Sequence, residues 1–294
     1  MFEPVFDLKH HSPSSISLFI ERRALWWLKV TEKTPFKGSE HTARGTAVEQ
    51  GINKYFESQK DNLGYELEDC IAYAHGIFAK ETVGMIIAPT FRQTINECVK
   101  VGIESFTTGC NSNKLKNRLE NGKDFTGFEG IPNMQTKINI HPDGLEKPII
   151  GYLDYYYDGF KGYTEKIPNA IVDNKVSSKT PSELSQGYKI QGAVYAKATG
   201  KDVYFHFIVP LKTGVTTKII KMLPDDIEYG WNMAEAAAKC IETIRDSYID
   251  MNTLKAMFFP NPASLFGGSD VRMVLDYWEV NNGFNLGDTG GTEE

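Results

Sequence analysis

Two acids and one lysine occupy positions from which their side chains can act together. Asp154 lies in GYLDYYYDG and Asp173 in IVDNKVSS, with Lys175 two positions further on. Both segments have strand character, and on a strand residues i and i+2 project to the same face. Asp173 and Lys175 therefore point together. A hairpin between 149–159 and 169–178 brings Asp154 beside Asp173 on that face. Two carboxylates and an ammonium in one pocket are costly to bury unless their charge is balanced. A divalent cation would balance it, and oxygen ligands favour Mg²⁺ or Mn²⁺. Such an ion activates water and neutralises the charge that develops on a phosphodiester undergoing attack. The lysine could orient that water or stabilise the transition state. Taken alone, an Asp-x-Lys triplet is common and reads as a strand-end acid with a surface partner.

The elements that must position these residues follow from periodicity and turn chemistry. The strands are MQTKINIH (134–141), IIGYLDYYYDG (149–159), NAIVDNKVSS (169–178), DVYFHFIVPL (202–211) and TKIIKML (217–223). Asp158-Gly159 is a hairpin signal. A helix from about Ser182 to Thr199 is closed by Gly200. Gln191 and Tyr195, four apart, share one of its faces. The first 130 residues read as helices: one through ISLFIERRALWWLKV capped by Ser14 or Ser15, then Ala43 to Ser58, 65–81 and 88–107. Residues 108–130 read as loop, and 225–250 as a last long helix. The terminal NNGFNLGDTGGTEE reads as disordered. Strands bracketing a helix, with helices before and after, predict an α/β (α+β) core around a mixed sheet. The expected organisation is one domain over 1–282, with a mostly helical part to 130, a sheet core over 131–224 and a C-terminal helical part, followed by a tail from 283.

Composition narrows the function classes. The chain has 294 residues, 41% hydrophobic and 24% charged, which supports a buried core. No apolar run is long enough to span a membrane. MFEPVFDLKHH has no basic then apolar leader pattern. The cysteines Cys70, Cys98, Cys110 and Cys240 are scattered without a CxxC, which argues against zinc, an iron–sulfur cluster or a disulfide framework. A cytoplasmic location is the expectation. The net charge of −6 is the wrong sign for a nucleic-acid binder, but its distribution is uneven. Ten lysines against four acids between Lys161 and Lys221 give a balance of +6, whereas the chain from Met222 onward carries −9. A local anion-binding surface is compatible with that pattern, as is a merely solvated one.

Other residues have two readings each. Ser14, Ser15 and Arg44 could hold phosphate, or be a helix cap and a surface charge. Lys179 and Lys189 could track a nucleic-acid backbone or lie free in solvent. The tyrosine run 155–157 could stack bases, although alternation sends its middle member the opposite way and makes at least one of the three core. His10, His11, His75 and His206 have no partner at metal-ligand spacing, and His206 reads as core. No GxxxxGK[ST] is present, so no bound nucleotide is expected.

Taken in order, these segments resemble the RecB-like exonuclease branch of the PD-(D/E)XK nuclease superfamily. SPSSISLFIERRALWWLKV is similar to its N-terminal motif, and RGTAVEQGINKYF to its "GT-hydrophobic-His" helix. IIGYLDYYYDG, IVDNKVSSK and YKIQGAVYAKATGK are similar to its "G-hydrophobic-D", "hydrophobic-D-x-K" and "Q-x-x-x-Y" segments. The resemblance runs from about Pro13 to Pro210. It implies a restriction-endonuclease-like sheet, with Asp154, Asp173 and the Asn174 carbonyl on Mg²⁺ or Mn²⁺ and Lys175 as catalytic lysine. Glu49 stands where many members have a metal-binding His. Gln191 is implied to reach DNA or Lys175, and Tyr195 to contact DNA or to pack. The four-cysteine cluster of some members is missing, so the ends of the fold must close by packing, through Trp26, Trp27 and Trp278. The implied activity is a metal-dependent DNA exonuclease serving replication, recombination or repair, of a kind often phage-encoded, with single strands or frayed ends as substrate. A replication or recombination protein is an implied partner. An endonuclease of the same fold, and a non-catalytic nucleic-acid-binding protein on a degraded scaffold, are the rival readings.

Overall fold

The computed structural model describes residues 4–34, 38–108, 127–159, 167–247, 249–250, 253–254 and 257–258. Of the expected loop over 108–130, residues 109–126 lie outside these residues, as do Trp278 with its closing role and the tail from 283; Thr108 is the last residue of a helix. The chain divides into two compact units, one of residues 1–37, 141–149 and 232–294, the other of 38–140 and 150–231.

The second unit carries the sheet. Its helices are α3 (Glu40–Asp61), α4 (Leu67–Glu81), α5 (Pro89–Thr108) and α6 (Gln186–Thr199), and its strands are β1 (Asn133–Ile140), β2 (Ile149–Asp158), β3 (Asn169–Val176), β4 (Val203–Leu211) and β5 (Gly214–Lys221). The sheet order is β1-β2-β3-β4-β5. β2 and β3 are antiparallel, β3 and β4 parallel, and β4 and β5 antiparallel, so the sheet is mixed as expected. The parallel step is the one bridged by α6, since a parallel neighbour needs a crossover.

Alternation along β2 sends Tyr155 and Tyr157 into a core with Val48, Ile52 and Phe56 of α3 and Phe106 of α5. Phe106 meets Phe56 edge-on at 5.7 Å and lies 4.9 Å from Tyr155. Each such buried side chain contributes about 1.5–3 kcal/mol. Two members of the tyrosine run are thus core, and only Tyr156 faces the other way. On the sheet's opposite face Phe205 and Phe207 pack under Tyr188 of α6, at 5.4 and 5.6 Å.

α6 begins at Gln186, capped by Ser185, four residues later than expected. Its end is as read: Gly200 takes a left-handed φ of 68° and closes the last turn. α7 (Pro224–Arg245) crosses α6 at Gly230. A Cβ there would strike the Lys189 carbonyl and come within 2.9 Å of the Ala193 Cβ.

The first unit contains α1 (Pro13–Glu21), α2 (Arg23–Trp26), a π-helical turn over Trp27–Thr31 and the end of α7. The single N-terminal helix expected from the sequence is broken at Arg22, whose backbone is non-helical at φ −147°, ψ 70°. The cap is Ser12 rather than Ser14 or Ser15, because Pro13 occupies the first helical position that proline favours. Trp26 and Trp27 are fully buried, and the Trp27 ring stacks on Phe258 at 5.0 Å. α7 stops at Arg245, short of residue 250, where the guanidinium binds Asp246 and Glu146.

Alanine at position 230 adds helix propensity of about 1 kcal/mol, yet it meets backbone that cannot turn aside. Gly230→Ala is expected to cost a net ~1–3 kcal/mol, read as a lower urea midpoint at unchanged m-value.

Candidate functional site

The site is built where β2 and β3 part. Their ladder runs from Asp158↔Asn169 to Tyr155↔Val172 and goes no further. β3 continues against β4 as far as Val176↔Ile208. One step past the end of the ladder, the Asn174 N–H donates to the Asp154 carboxylate, 3.0 Å from Oδ2. A side chain thus takes the place of the neighbouring strand, and Asp154 and Asp173 meet at the fork.

Asp173 is completely buried. Its Oδ1 is ion-paired with the Lys175 ammonium, as their i, i+2 spacing requires. Its Oδ2 is buried without a hydrogen-bond donor. Lys175 also lies 5.7 Å over the Tyr188 ring, so α6 roofs the ammonium with an aromatic face. Glu49 arrives from α3, half-buried, and accepts a hydrogen bond of 3.1 Å from the Gln135 side chain. Gln135 belongs to β1 yet has a left-handed φ of 50°. That is a sparsely populated conformation for a residue with a Cβ, held here in a strand that carries its amide to Glu49.

The charges are not independent. Burial raises the Asp154 carboxyl well above its ordinary range, and Asp173 and Glu49 raise it further, against the opposing pull of Lys175 and the Asn174 N–H. Burial also raises Asp173, opposed by Lys175, and raises Glu49, with Asp173 adding to it. For Lys175 burial acts downward, but Asp173 and Asp154 outweigh it and hold the ammonium above its ordinary value. Three acids that resist ionisation beside one fixed cation form a pocket short of positive charge. An acidic, all-oxygen donor set with an orphaned buried carboxylate oxygen suits a hard divalent cation. Among the described residues, no group of three or more His, Cys, Asp or Glu side chains stands close enough to hold a metal ion as it is.

Behind the fork lies a polar chain: His206 is core, as its strand predicts, but it is also hydrogen-bonded on both ring nitrogens. The register pairs Asn174 directly with His206 of β4. His206 Nδ1 lies 2.9 Å from the Asn174 Oδ1, and its Nε2 lies 2.6 Å from the Ser105 hydroxyl of α5. Burial pushes His206 down to about 3, so the ring is neutral and carries one N–H. Ser105 donates to the Gly102 carbonyl at 2.9 Å. With the Asn174 Oδ1 as acceptor, Nδ1 carries the N–H, and Nε2 accepts from the Ser105 hydroxyl, whose proton is shared with the Gly102 carbonyl; the Asn174 Nδ2 stays buried without an acceptor. The signal in the sequence was a lone histidine in the apolar run DVYFHFIVPL, since a buried polar side chain demands partners.

Gln191 and Tyr195 do share a face. The Gln191 amide donates to the Tyr195 hydroxyl at 2.8 Å, which donates to the Tyr152 carbonyl at 2.9 Å. Gln191 is therefore turned toward Tyr195 and not toward Lys175. Tyr195 is buried, which raises its phenol, and Asp173 and Asp154 raise it further. It packs and fixes β2, and is not open to a nucleic acid. Tyr152, two residues before Asp154 on the same face of β2, leaves about half its surface (53%) exposed.

Each of the remaining candidates has surroundings of its own. Arg44 is buried with its Nε unbonded and its guanidinium 4.9 Å over Phe91, so it is not the surface charge of the bland reading. In the first unit, Ser15 accepts from the Trp26 indole at 3.0 Å and Ser14 is exposed beside Ser12. Lys179 is exposed in the turn after β3, and Lys189 is paired with Asp226 at 2.8 Å.

No family model matches the chain, and no curated protein matches it. Solved structures do. The "Putative exonuclease" of Eubacterium rectale aligns over 82% of this chain and 83% of its own, with a TM-score of 0.53 at 15% identity. Its likeness is one of fold. A second structure, "SSO0001", covers 80% of this chain and 89% of its own at 14% identity, and its TM-score of 0.28 carries no argument. The fold is thus a helix-flanked mixed sheet of a kind also found in a protein given an exonuclease name.

The raised acids set the pH dependence. A group whose pKa is higher folded than unfolded contributes stability below its unfolded value, and that contribution disappears as pH rises through the folded value. Metal-free protein is therefore expected to lose stability from the ordinary carboxylate range upward. Asp154→Asn, which keeps an oxygen for the Asn174 N–H, removes part of that loss. Its melting temperature in EDTA at pH 7 should exceed wild type by about 2–4 °C for each kcal/mol recovered, and the difference should vanish at pH 4.

Proposed function

We propose that this chain is a metal-dependent nuclease of the RecB-like branch of the PD-(D/E)XK superfamily, and that it degrades DNA from its ends. The observation that carries the reading is the meeting of Asp154, Asp173 and Lys175 at the fork, with one buried carboxylate oxygen left for a cation. The ordered motifs, and the fold shared with a protein bearing an exonuclease name, support it.

Glu49, Asp154, Asp173 and the Asn174 carbonyl would hold Mg²⁺ or Mn²⁺. When bound, such an ion supplies an activated water and neutralises charge on the phosphodiester. The protein's own groups do the rest. Lys175 stays protonated at neutral pH, so it acts as a donor and not as a base. Its ammonium holds the attacking water by its oxygen, or binds the phosphoryl oxygen as negative charge grows there. The pairing with Asp173 and the Tyr188 ring keep that ammonium in place. Tyr195 and Gln191 brace β2 from behind. The exposed Tyr152 ring beside Asp154 offers a stacking face to an unpaired base.

The test is incubation of end-labelled single- and double-stranded DNA with Mn²⁺, with circular DNA as control. Loss of linear DNA alone is the expected outcome. Cutting of the circle would make the enzyme an endonuclease, and binding without cutting would make it a binding protein. Lys175→Ala should lower kcat about 10²–10³-fold, and Asp173→Ala should abolish turnover together with the Mn²⁺ response.

Substrate stacking has a separate readout. Tyr152→Ala is expected to raise KM for single-stranded DNA by about tenfold, in line with ~1–3 kcal/mol per stacked base. Tyr152→Trp should restore it, and neither change should affect hydrolysis of bis(p-nitrophenyl) phosphate, which lacks a base.

A further inference from the structure

We infer that His206 is a positioning residue for the carboxylate site: through Asn174 it fixes the peptide that orders Asp154, Asp173 and Lys175. The inference rests on the nuclease reading above.

The hydrogen-bonded path is continuous. It runs from Ser105 on α5 to His206 on β4 at 2.6 Å, to the Asn174 side chain on β3 at 2.9 Å, and from the Asn174 backbone N–H to Asp154 on β2 at 3.0 Å. It joins three strands and a helix by side chains, at the place where the β2–β3 backbone ladder has ended. His206 is fully buried and Asn174 is 6% exposed, so water does not substitute for these bonds. The Phe106 ring lies 4.5 Å from the imidazole, so His206 is a polar group set against an aromatic core side chain. A polar group in that position costs stability unless its partners are met, and its partners here lead to the site.

The consequence is mechanical. Asn174 projects to the helical core face, while its neighbours Asp173 and Lys175 project to the face of α6. Holding the Asn174 side chain fixes the rotation of β3 about its axis. The N–H then aims at Asp154, and the carbonyl of the same residue keeps a fixed direction. Without His206, β3 keeps its β4 ladder, but on the β2 side only the bond from the Asn174 N–H to Asp154 orients its peptide.

Full-length wild type, His206→Phe, His206→Gln and Ser105→Ala are to be compared. Three quantities are read: amide hydrogen exchange over 169–176 in EDTA, Mn²⁺ affinity by calorimetry, and kcat and KM on single-stranded DNA. His206→Phe keeps a planar ring, somewhat larger than the imidazole, and leaves Ser105 satisfied by Gly102. It should exchange faster at Asn174 and lose about 10–100-fold in Mn²⁺ affinity and kcat, with KM for DNA unchanged. His206→Gln, whose amide can bond Asn174, should recover most of the loss, and Ser105→Ala should lose several-fold in the same sense. A folded His206→Phe protein with wild-type exchange, affinity and kcat overturns the inference. Should His206→Phe fail to fold, unchanged values in Ser105→Ala overturn it equally. A loss that follows melting temperature alike in the Phe and Gln variants makes His206 merely structural and also overturns it. A wild type that neither binds Mn²⁺ nor cuts DNA overturns the nuclease reading itself. That outcome is distinct from a wild type that cuts while His206→Phe cuts equally well.

Discussion

A single backbone amide governs the architecture of this site. The Asn174 N–H has no strand partner, because β2 leaves β3 after Tyr155, and it donates to the Asp154 carboxylate instead. A buried amide left unpaired costs ~1–3 kcal/mol. The fork is therefore tenable only while an acceptor stands at position 154. The same separation opens the space into which Asp173 and Lys175 project. Strand divergence, acid placement and lysine pairing are consequences of one local rearrangement of hydrogen bonds.

Around that amide the protein tolerates electrostatic disadvantage. Burial raises the proton affinity of Glu49, Asp154 and Asp173, the Asp173 charge adds to it at the other two, and Lys175 opposes it at all three. Large shifts from burial together with specific charge partners are characteristic of sites organised for chemistry. A stably packed sheet elsewhere supplies what this corner lacks. The aromatic layer of Phe56, Phe106 and Tyr155 packs β2 on one face, and the Tyr188–Phe205–Phe207 group packs β4 on the other, on either side of β3 in the sheet order.

Much of this was legible in the sequence, and the reason is locality. The alternation that puts Asp173 beside Lys175 is a two-residue property, and the antiparallel pairing of two consecutive strands brings Asp154 to them, although Asp158 and Gly159, read as its turn signal, are still paired with Asn169 and Pro168. The five strands and the α6 C-cap follow from period and turn chemistry within short windows. What escaped is non-local. The pairing of His206 with Asn174 depends on the parallel β3–β4 register, set by where α6 returns the chain. The aim of Gln135 depends on a φ of 50° that no residue type in MQTKINIH announces. Ser12 outcompeted Ser14 and Ser15 because Pro13 fixed the first helical turn. The break at Arg22 interrupts a helix whose apolar pattern ran on without a Gly or Pro to mark it.

The left-handed Gln135 bears on more than Glu49. β1 and β5 are the two margins of the sheet, and a long, regular margin is a template on which another molecule's strand can extend the ladder. A residue turned left-handed two positions into β1 breaks the repeat of outward N–H and C=O groups. An incoming strand would have to skip a step there. The geometry that presents an amide to an acid thus also guards this sheet against growing into its neighbours.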